Sequence, residues 1–425
     1  MMEVRILRRT FFLILLVQTC YSVTRKLNVI EISNNEDENC RQKYGPLYFI
    51  TAEGPDDSIN YVWSFIHNPS VLVTLTQPST NVTITWPKVV KFPSGPDDHH
   101  CNPESIQFSK ESIYSYGISL QKIIEFNDIN DTGYMKSYNS SYVNILNPSF
   151  FKWRVQSSNK SDQDFELEML GDSYFDPNTN IKRNGNIKFM ANVFGSVKRF
   201  MKEPSMLHSE NSTQIDLTID KFETNSTFSK SRFAVEILLV SDGNINSSLP
   251  VSETSTLDDQ YAPGVFKVMK LKTPLMKLPF REENVGMYLE WRPISYTSNT
   301  RVVTDSTEVK HYKTEKSLEP TLDIISTILY PYYSQIPGKN LSEFIVQKFN
   351  VSFGSKGDSF YDKDHGYASW TFLAGYSSPL DEQISSLTIL IISIVVALPV
   401  VPILLYGSLI FYRRITKTDN EFQNF

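Results

Sequence analysis

A long uncharged segment near the C-terminus constrains this chain more than any other feature. Residues 387–412 read LTILIISIVVALPVVPILLYGSLIFY, 26 positions without a charged side chain. About 20 apolar residues are enough for a helix to cross the hydrocarbon core of a bilayer, and Pro399 and Pro402 are tolerated there as a kink. The basic sequence RRITK follows directly, which places residues 413–425 in the cytosol. The segment predicts a single-pass type I protein with one transmembrane helix.

The N-terminus has the three-part pattern of a secretory signal peptide. Basic residues precede the apolar run FFLILLV (11–17), and Cys20 and Ser22 stand at −3 and −1 of a cleavage point. The apolar run is too short to cross a bilayer, and this arrangement is typical of a leader that is removed. We therefore expect residues 1–22 to be cleaved and residues 23–386 to form the ectodomain.

The ectodomain is acidic. Of 41 Lys and Arg residues, six lie outside residues 23–386, and of 47 Asp and Glu residues three do, which leaves a formal charge of −9. An acidic surface repels both nucleic acid and anionic lipid. Nucleic acid is therefore not expected as a partner.

The cysteines predict at most one internal disulfide. Cys20 leaves with the leader, so that Cys40 and Cys101 remain. In an oxidising compartment such a pair most simply forms a single disulfide. Two free thiols, or one intermolecular bridge, are the alternatives.

The stretch GPDDHHC (95–101) combines residue types that bind zinc. Two neighbouring histidines need further converging ligands to hold a metal, and a disulfide-bonded Cys101 would not be one of them. The flanking KFPS and NPE are turn sequences. We interpret the stretch as a polar loop and expect neither metal nor cofactor.

Acceptor sites for N-linked glycans occur throughout the ectodomain. The Asn-x-Ser/Thr pattern marks a surface position in a secreted protein. It occurs at Asn81, Asn130, Asn139, Asn159, Asn211, Asn225, Asn246, Asn340 and Asn350.

Apolar alternation predicts an ectodomain built of β-strands. Alanine is scarce and β-branched and aromatic residues are plentiful, which favours strands over helices. VLVTLTQ (71–77) and NVTITW (81–86) are expected to pair as a hairpin. Six further segments show the strand pattern: 213–222, 232–241, 264–273, 287–296, 343–353 and 367–376. One helix is expected at 321–330, ended by Pro331.

Short strands at this spacing predict an all-β ectodomain of the antiparallel sandwich type. Residues 23–386 exceed one ordinary sandwich, so the domain forms either one large unit or two stacked units. The polar stretch 202–213 is the candidate boundary between them.

The acidic clusters do not form a convincing catalytic site. Asp258 and Asp259 would point to opposite faces of a strand, and in a turn they would cap the backbone. Asp362, Asp364 and His365 lie between glycine-rich turns. A hydrolase that uses these three residues is the weakest of the alternatives, and we expect no catalytic residues.

Several segments resemble the glycosylated lysosomal membrane protein family, in the order that the family shows. They are NYVWSF (60–65), ESIQFSK (104–110), IIEFND (123–128), TLDDQYAPGVF (256–266), EWRPISY (290–296), NVSFG (350–354) and YASWTFLAG (367–375). The resemblance runs from the first predicted strands to the transmembrane helix.

The resemblance implies a lysosomal type I glycoprotein without enzymatic activity. Members of this family associate with a multi-pass major-facilitator transporter that exports dipeptides, and they protect it from proteolysis in the lumen. The resemblance thus implies an accessory subunit. The alternative is a lysosomal or cell-surface receptor that binds soluble ligands through its β ectodomain.

The C-terminal tail departs from the family pattern. Family tails end in a Tyr-x-x-apolar sorting signal that cytosolic adaptors bind, whereas this chain ends EFQNF, with Phe422 in the tyrosine position and Phe425 in the apolar position. A pocket built for a hydroxyl rejects its absence strongly. Tyr412 and Ile415 fit the pattern, but Tyr412 is expected to anchor the helix at the bilayer interface instead. Lysosomal delivery is therefore expected to depend on the partner.

Overall fold

The computed structural model describes residues 24–87, 101–135, 141–245, 247–258, 264–277, 284–358, 360, 366–380 and 386–422. The predicted leader, residues 1–22, lies outside the described residues. The described residues divide into two compact units. One lies within residues 1–254 and 268–380, and the other within residues 255–267 and 381–425.

The described chain before the apolar C-terminal helix is built mainly of β-strands, as predicted. In chain order the strands are β1 (Lys26–Ile32), β2 (Leu47–Glu53), β3 (Ser58–Ser64), β4 (Ser70–Thr76), β5 (Val82–Thr85), β6 (Ser105–Phe108), β7 (Tyr114–Asn127), β8 (Val143–Leu146), β9 (Lys152–Lys160), β10 (Asp164–Asp172), β11 (Tyr174–Asp176), β12 (Ile181–Arg183), β13 (Asn186–Phe194) and β14 (Lys198–Arg199). They continue with β15 (Leu207–His208), β16 (Ser212–Asp220), β17 (Ser231–Ser241), β18 (Val251–Asp258), β19 (Gly264–Lys272), β20 (Met276–Lys277), β21 (Asn284–Val285), β22 (Met287–Trp291), β23 (Ile294–Tyr296), β24 (Ser306–His311), β25 (Glu315–Lys316), β26 (Ile345–Phe353) and β27 (Tyr367–Tyr376).

The helices are α1 (Glu38–Tyr44), α2 (Pro320–Ile324), α3 (Tyr330–Tyr333) and α4 (Ser386–Phe422). The single helix expected at 321–330 is therefore wrong. The chain forms two short helices there, and Pro331 lies in the first turn of α3 rather than after a helix end. A proline is tolerated in the first turn because its missing N–H would have no partner inside the helix.

The strands form two large antiparallel sheets. The first runs β1–β2–β3–β4–β7–β17–β26, with β8 beside the second half of β7 and with β24 and β25 beside β26. The second runs β9–β10–β13–β16–β27–β22–β19. Strand β23 pairs with both β27 and β24 and so joins the two sheets.

The two sheets pack face to face as a sandwich. Side chains from both sheets share one buried core, and aromatic rings meet between them. The ring of Trp63 on β3 contacts Phe189 on β13 at 5.8 Å, and Trp291 on β22 stacks on Phe349 of β26 at 5.9 Å. This confirms the all-β antiparallel sandwich class.

The first sheet is apolar on both faces, which explains why its central strands are almost continuously hydrophobic. Along β17, Phe233 and Val235 point into the sandwich core, whereas Leu238 and Val240 face a second core on the outer side. Helices α1, α2 and α3 and the β5–β6 hairpin cover that second core.

One predicted strand pairing is wrong. Strand β4 pairs with β3 and β7, and β5 pairs with β6, so these two neighbours in sequence do not form a hairpin. Strand β4 buries both of its faces, whereas β5 is half exposed. The amphipathic β5 therefore pairs in the outer layer, where one of its faces contacts solvent.

The second unit contains the apolar helix that the sequence predicted. Helix α4 is 37 residues long and includes both Pro399 and Pro402. Its segment Ile389–Arg413 has a mean hydropathy of 2.8 over its most apolar window and the length to span a membrane.

Candidate functional site

A buried arginine organises the most charged site in the described part of the β domain. Arg232 on β17 is 0% exposed. Its Nε donates to Asp128 Oδ2 at 2.9 Å, its Nη2 to Asp131 Oδ1 at 2.6 Å, and its Nη1 to Asp358 Oδ2 at 2.7 Å. We call Arg232 and these three carboxylates the arginine hub.

The sheet topology brings the hub together. Strands β7 and β26 flank β17, and both run antiparallel to it. They therefore end where β17 begins, at the position of Arg232. Asp128 and Asp131 follow β7, and Asp358 follows β26, so two loops far apart in sequence meet at one guanidinium group.

The backbone is fitted closely around the hub. Asp128 Oδ2 accepts the N–H of Gly133 at 2.6 Å, and Arg232 Nη2 also donates to the carbonyl of Ser355 at 2.9 Å. Gly133 has a φ of +68°, and a Cβ added there would lie 1.9 Å from the carbonyl oxygen of Gly354. Only glycine fits at residue 133 without a backbone shift.

The hub lowers the pKa of two of its carboxylates, Asp358 and Asp131. Burial alone would raise the pKa of Asp358, but hydrogen bonds from Arg232, from the N–H of Ser355 and from Thr307 lower its pKa below the usual value. The pKa of Asp131 is also lowered. Burial raises it, but hydrogen bonds from Arg232 and from the N–H of Gly357 together outweigh burial.

An aromatic cleft lies beside the hub, on the loop that follows β7. We define this cleft by Ile129, Asn130, Tyr134, Met135 and Tyr142, which line a volume of about 270 Å³. The backbone N–H of Met135 donates to the Tyr312 hydroxyl at 2.6 Å, and the ring of Tyr134 lies 5.0 Å from that of Tyr312. Ile129, Tyr134 and Tyr142 are 55%, 46% and 46% exposed.

Buried arginine–carboxylate pairs recur elsewhere in the β domain. Further pairs are Arg183 with Glu125 at 3.2 Å, Arg301 with Asp216 at 3.4 Å, and Arg25 with Asp57. Removing one partner of such a pair strongly destabilises a protein, because the other charge is left buried without compensation. These pairs therefore hold loops and strands in fixed positions.

The predicted disulfide is present. The Cα atoms of Cys40 and Cys101 are 5.4 Å apart, and both residues are buried in the outer core. Residues 95–100 of the GPDDHHC stretch lie outside the described residues. Within the described ranges no cluster of His, Cys, Asp and Glu could hold a metal.

The other acidic clusters are described only in part. Asp259, Asp362, Asp364 and His365 lie outside the described residues. Asp258 is the last residue of β18. The structure therefore does not test these clusters.

The acceptor asparagines differ in accessibility. Asn81, Asn130, Asn159 and Asn340 are exposed, and Asn211 and Asn225 are half-buried. Asn350 on β26 is only 8% exposed. Asn139 and Asn246 lie outside the described residues, and glycan occupancy stays a prediction at every site.

The predicted sorting residues belong to the C-terminal segment. Tyr412 is 65% exposed and lies within the apolar segment Ile389–Arg413. Ile415 and Phe422 continue helix α4, and Phe425 lies outside the described residues. Their role in sorting stays a prediction.

Sequence reasoning missed the arginine hub. Arg232 stands 104 residues from Asp128 and 126 residues from Asp358, and no local spacing connects them. The only signal in the sequence is the acid pair of DIND (128–131) beside an acceptor asparagine.

The fold and its sites define a class of protein. A large, disulfide-containing antiparallel β domain with exposed N-glycan acceptor positions, followed by one apolar helix of membrane-spanning length, is typical of a single-pass membrane glycoprotein. The chain belongs to the glycosylated lysosomal membrane protein family, whose model matches residues 46–417. It is thus a lysosomal membrane glycoprotein.

The similarity to known relatives covers most of the chain. Glycosylated lysosomal membrane protein B of Xenopus laevis is 24% identical over 367 residues, 85% of this chain and 84% of the relative. The Danio rerio protein is 25% identical, covering 89% and 86%, and the Homo sapiens protein is 23% identical with the same coverage. A solved galactose 1-epimerase from Lactobacillus acidophilus covers 85% of this chain and all of its own, at 8% identity and a TM-score of 0.28, too low to carry an argument.

Proposed function

We propose that this protein is a non-enzymatic accessory subunit of a lysosomal membrane transporter. In this proposal it is a type I protein, with the β domain in the lumen and residues 413–425 in the cytosol. The partner is a multi-pass major-facilitator transporter for dipeptides, as the family resemblance implies. The β domain covers the lumenal loops of that transporter and keeps proteases away from them.

The observation that carries the proposal is the pairing of buried carboxylates with arginines. Catalytic carboxylates must face a substrate and exchange protons with it. In the described β domain, by contrast, Asp128, Asp358, Asp216 and Glu125 are turned inward to arginine partners. This arrangement suits a rigid cover better than a catalytic centre.

The hub also suits an acidic compartment. A carboxylate whose pKa is lowered by folding stabilises the protein above its unfolded pKa, and this contribution is lost as pH falls through the folded pKa. For Asp131 and Asp358 the folded pKa values lie below the usual 3.8, so most of that loss falls below the pH of an acidic compartment. At about pH 5 both carboxylates therefore still contribute to stability.

The membrane helix has an apolar surface of the kind that packs against lipid or another helix. Helix α4 carries apolar side chains on all sides, and the described ones are exposed, so lipid or another helix must cover them. Helix α4 includes Gly407, and small residues of this kind allow close helix contact.

A native pull-down of the tagged full-length protein from detergent-solubilised membranes tests the proposal. Mass spectrometry should identify one multi-pass transporter near a one-to-one ratio. A matched control replaces residues 387–412 with an unrelated apolar helix, and persistence of the complex would assign the contact to the β domain. Recovery of soluble lumenal proteins without a transporter would contradict the proposal and favour the receptor.

Sorting is tested separately from binding. We expect deletion of residues 418–425 to leave lysosomal delivery intact while the partner is present, because Phe422 lacks the hydroxyl that an adaptor pocket requires. Loss of delivery while the partner still binds would contradict partner-led sorting. Fluorescence microscopy with a lysosomal marker measures this outcome.

A further inference from the structure

The aromatic cleft has an acceptor asparagine in its own lining. Asn130 is exposed, carries the Asn-Asp-Thr pattern and lines the cleft together with Ile129, Tyr134 and Tyr142. Because the first sugar of an N-linked glycan is bonded to the asparagine side chain itself, a sugar on Asn130 starts at the cleft.

The arginine hub fixes the position of Asn130. The N–H of Asp131 donates to the carbonyl of Asp128 at 2.8 Å, which closes a turn with Ile129 and Asn130 at its centre. The carboxylates of Asp128 and Asp131, the first and last residues of this turn, accept hydrogen bonds from Arg232. A group attached to Asn130 therefore leaves a rigid turn, and rigid attachment lowers the entropy cost of packing.

The chemistry of the lining suits a sugar ring. Tyr134 and Tyr142 are nearly half exposed, and Ile129 is more than half exposed. Tyrosine side chains bury large apolar areas while keeping a polar hydroxyl, and a sugar ring likewise has an apolar face of C–H groups and a rim of polar groups. The volume of about 270 Å³ lies just below the ~300–1,000 Å³ typical of small-molecule sites, which leaves room for one or two sugar rings.

We infer that the cleft is the seat of the first sugars of an N-linked glycan on Asn130. The glycan covers the tyrosine rings and the neighbouring strand β8, whose Ile145 is 51% exposed. Among the described residues β8 pairs only with β7, so a covered β8 is also protected from pairing with another chain. Without a glycan, the exposed side chains of the cleft would form an apolar patch beside the edge strand β8.

Site-resolved glycan release from the native full-length protein tests this inference. A glycan seated in the cleft should be cleaved by peptide N-glycosidase about tenfold more slowly at Asn130 than at Asn159, which corresponds to about 1.4 kcal/mol of packing. Asn159 is the matched control because it stands exposed on β9. Mass spectrometry of the resulting Asn-to-Asp conversion gives the rate at each site.

Two variants make the test specific. Tyr142→Ser removes an exposed ring and should bring the Asn130 rate to that of Asn159. Asn130→Gln should speed the hydrogen exchange of β8 amides, whereas Asn159→Gln should leave it unchanged.

Each contrary outcome overturns the inference. These are an empty Asn130, equal release rates at the two sites, or slow release that survives Tyr142→Ser. Slow release that depends on Asn139 would assign the cover to a different glycan. Slow release only in the presence of a bound membrane protein would assign the cleft to that partner.

Discussion

Acidification should destabilise the β domain through one buried histidine. His208 on β15 is 1% exposed, and its ring stacks on Phe194 with the centroids 3.3 Å apart. Burial lowers the pKa of His208 to about 3, with the charges of Lys198 and Arg199 adding to the effect. In the unfolded chain the same side chain has a pKa of about 6.5.

The sign and the size follow from linkage. Between about pH 6.5 and pH 3 only the unfolded chain binds a proton at residue 208, so acidification favours unfolding. At about pH 4.5, two units below the unfolded pKa, the destabilisation is about 2–3 kcal/mol at about 1.36 kcal/mol per unit. His208→Gln removes the titration and can keep a hydrogen bond to the backbone of Ser196.

Denaturant unfolding of the full-length protein in detergent, followed by tryptophan fluorescence, measures the effect. When the pH is lowered from about 7 to about 4.5, the unfolding free energy of His208→Gln should rise by about 2–3 kcal/mol relative to that of the parent. His311→Gln is the control, since His311 is half-buried and should show a smaller change. An equal difference at both pH values would refute the reasoning.

Three further predictions concern the hub and the glycan positions. Arg232→Met should destabilise the β domain by at least about 3–5 kcal/mol, because three carboxylates lose their cation; a melting temperature equal to the parent's would contradict the role of the hub. Gly133→Ala should lower the free energy of unfolding by more than the about 1–2 kcal/mol of a left-handed backbone, since a Cβ there meets Gly354. The control Gly338→Ala, with a φ of +73° and open space around it, should cost only that amount. Equal losses of unfolding free energy in denaturant would count against the close approach at Gly133. Asn350, 8% exposed, should carry no glycan because an attached sugar would block the strand from packing, and glycopeptide mapping that finds it occupied would show the packing to be wrong.

Local patterns in the sequence were sufficient for the main strands of the sandwich and for the class of protein. Period-2 alternation located β16, β17, β26 and β27, because a strand in a sandwich exposes its side chains alternately to two faces. The uncharged run located the membrane-spanning segment, because its length alone meets the bilayer thickness. The pair Cys40–Cys101 was the simplest of the three outcomes that the cysteine count left open, and the structure contains it.

Local sequence patterns did not predict which strands pair. The sequence pointed to a β4–β5 hairpin, but β4 pairs with β7 instead. Pairing depends on which faces are buried in the assembled sheets, and β4 is buried on both. The helix expected at 321–330 was wrong as well. Ile324, Ile328 and Leu329 of that segment are buried in the outer core, and tertiary packing routinely overrides helix propensity.

The sequence by itself determined that this chain is an antiparallel β domain on one apolar helix with glycan acceptor positions, since each of these depends on neighbouring residues or on composition. Only the tertiary structure decided which charges meet. Arg232 reaches Asp128 and Asp358 because β7 and β26 both flank β17 and end at its first residues. It also decided which acceptor asparagines are exposed and that Asn130 lines a cleft, because burial and proximity arise only when distant strands are packed together.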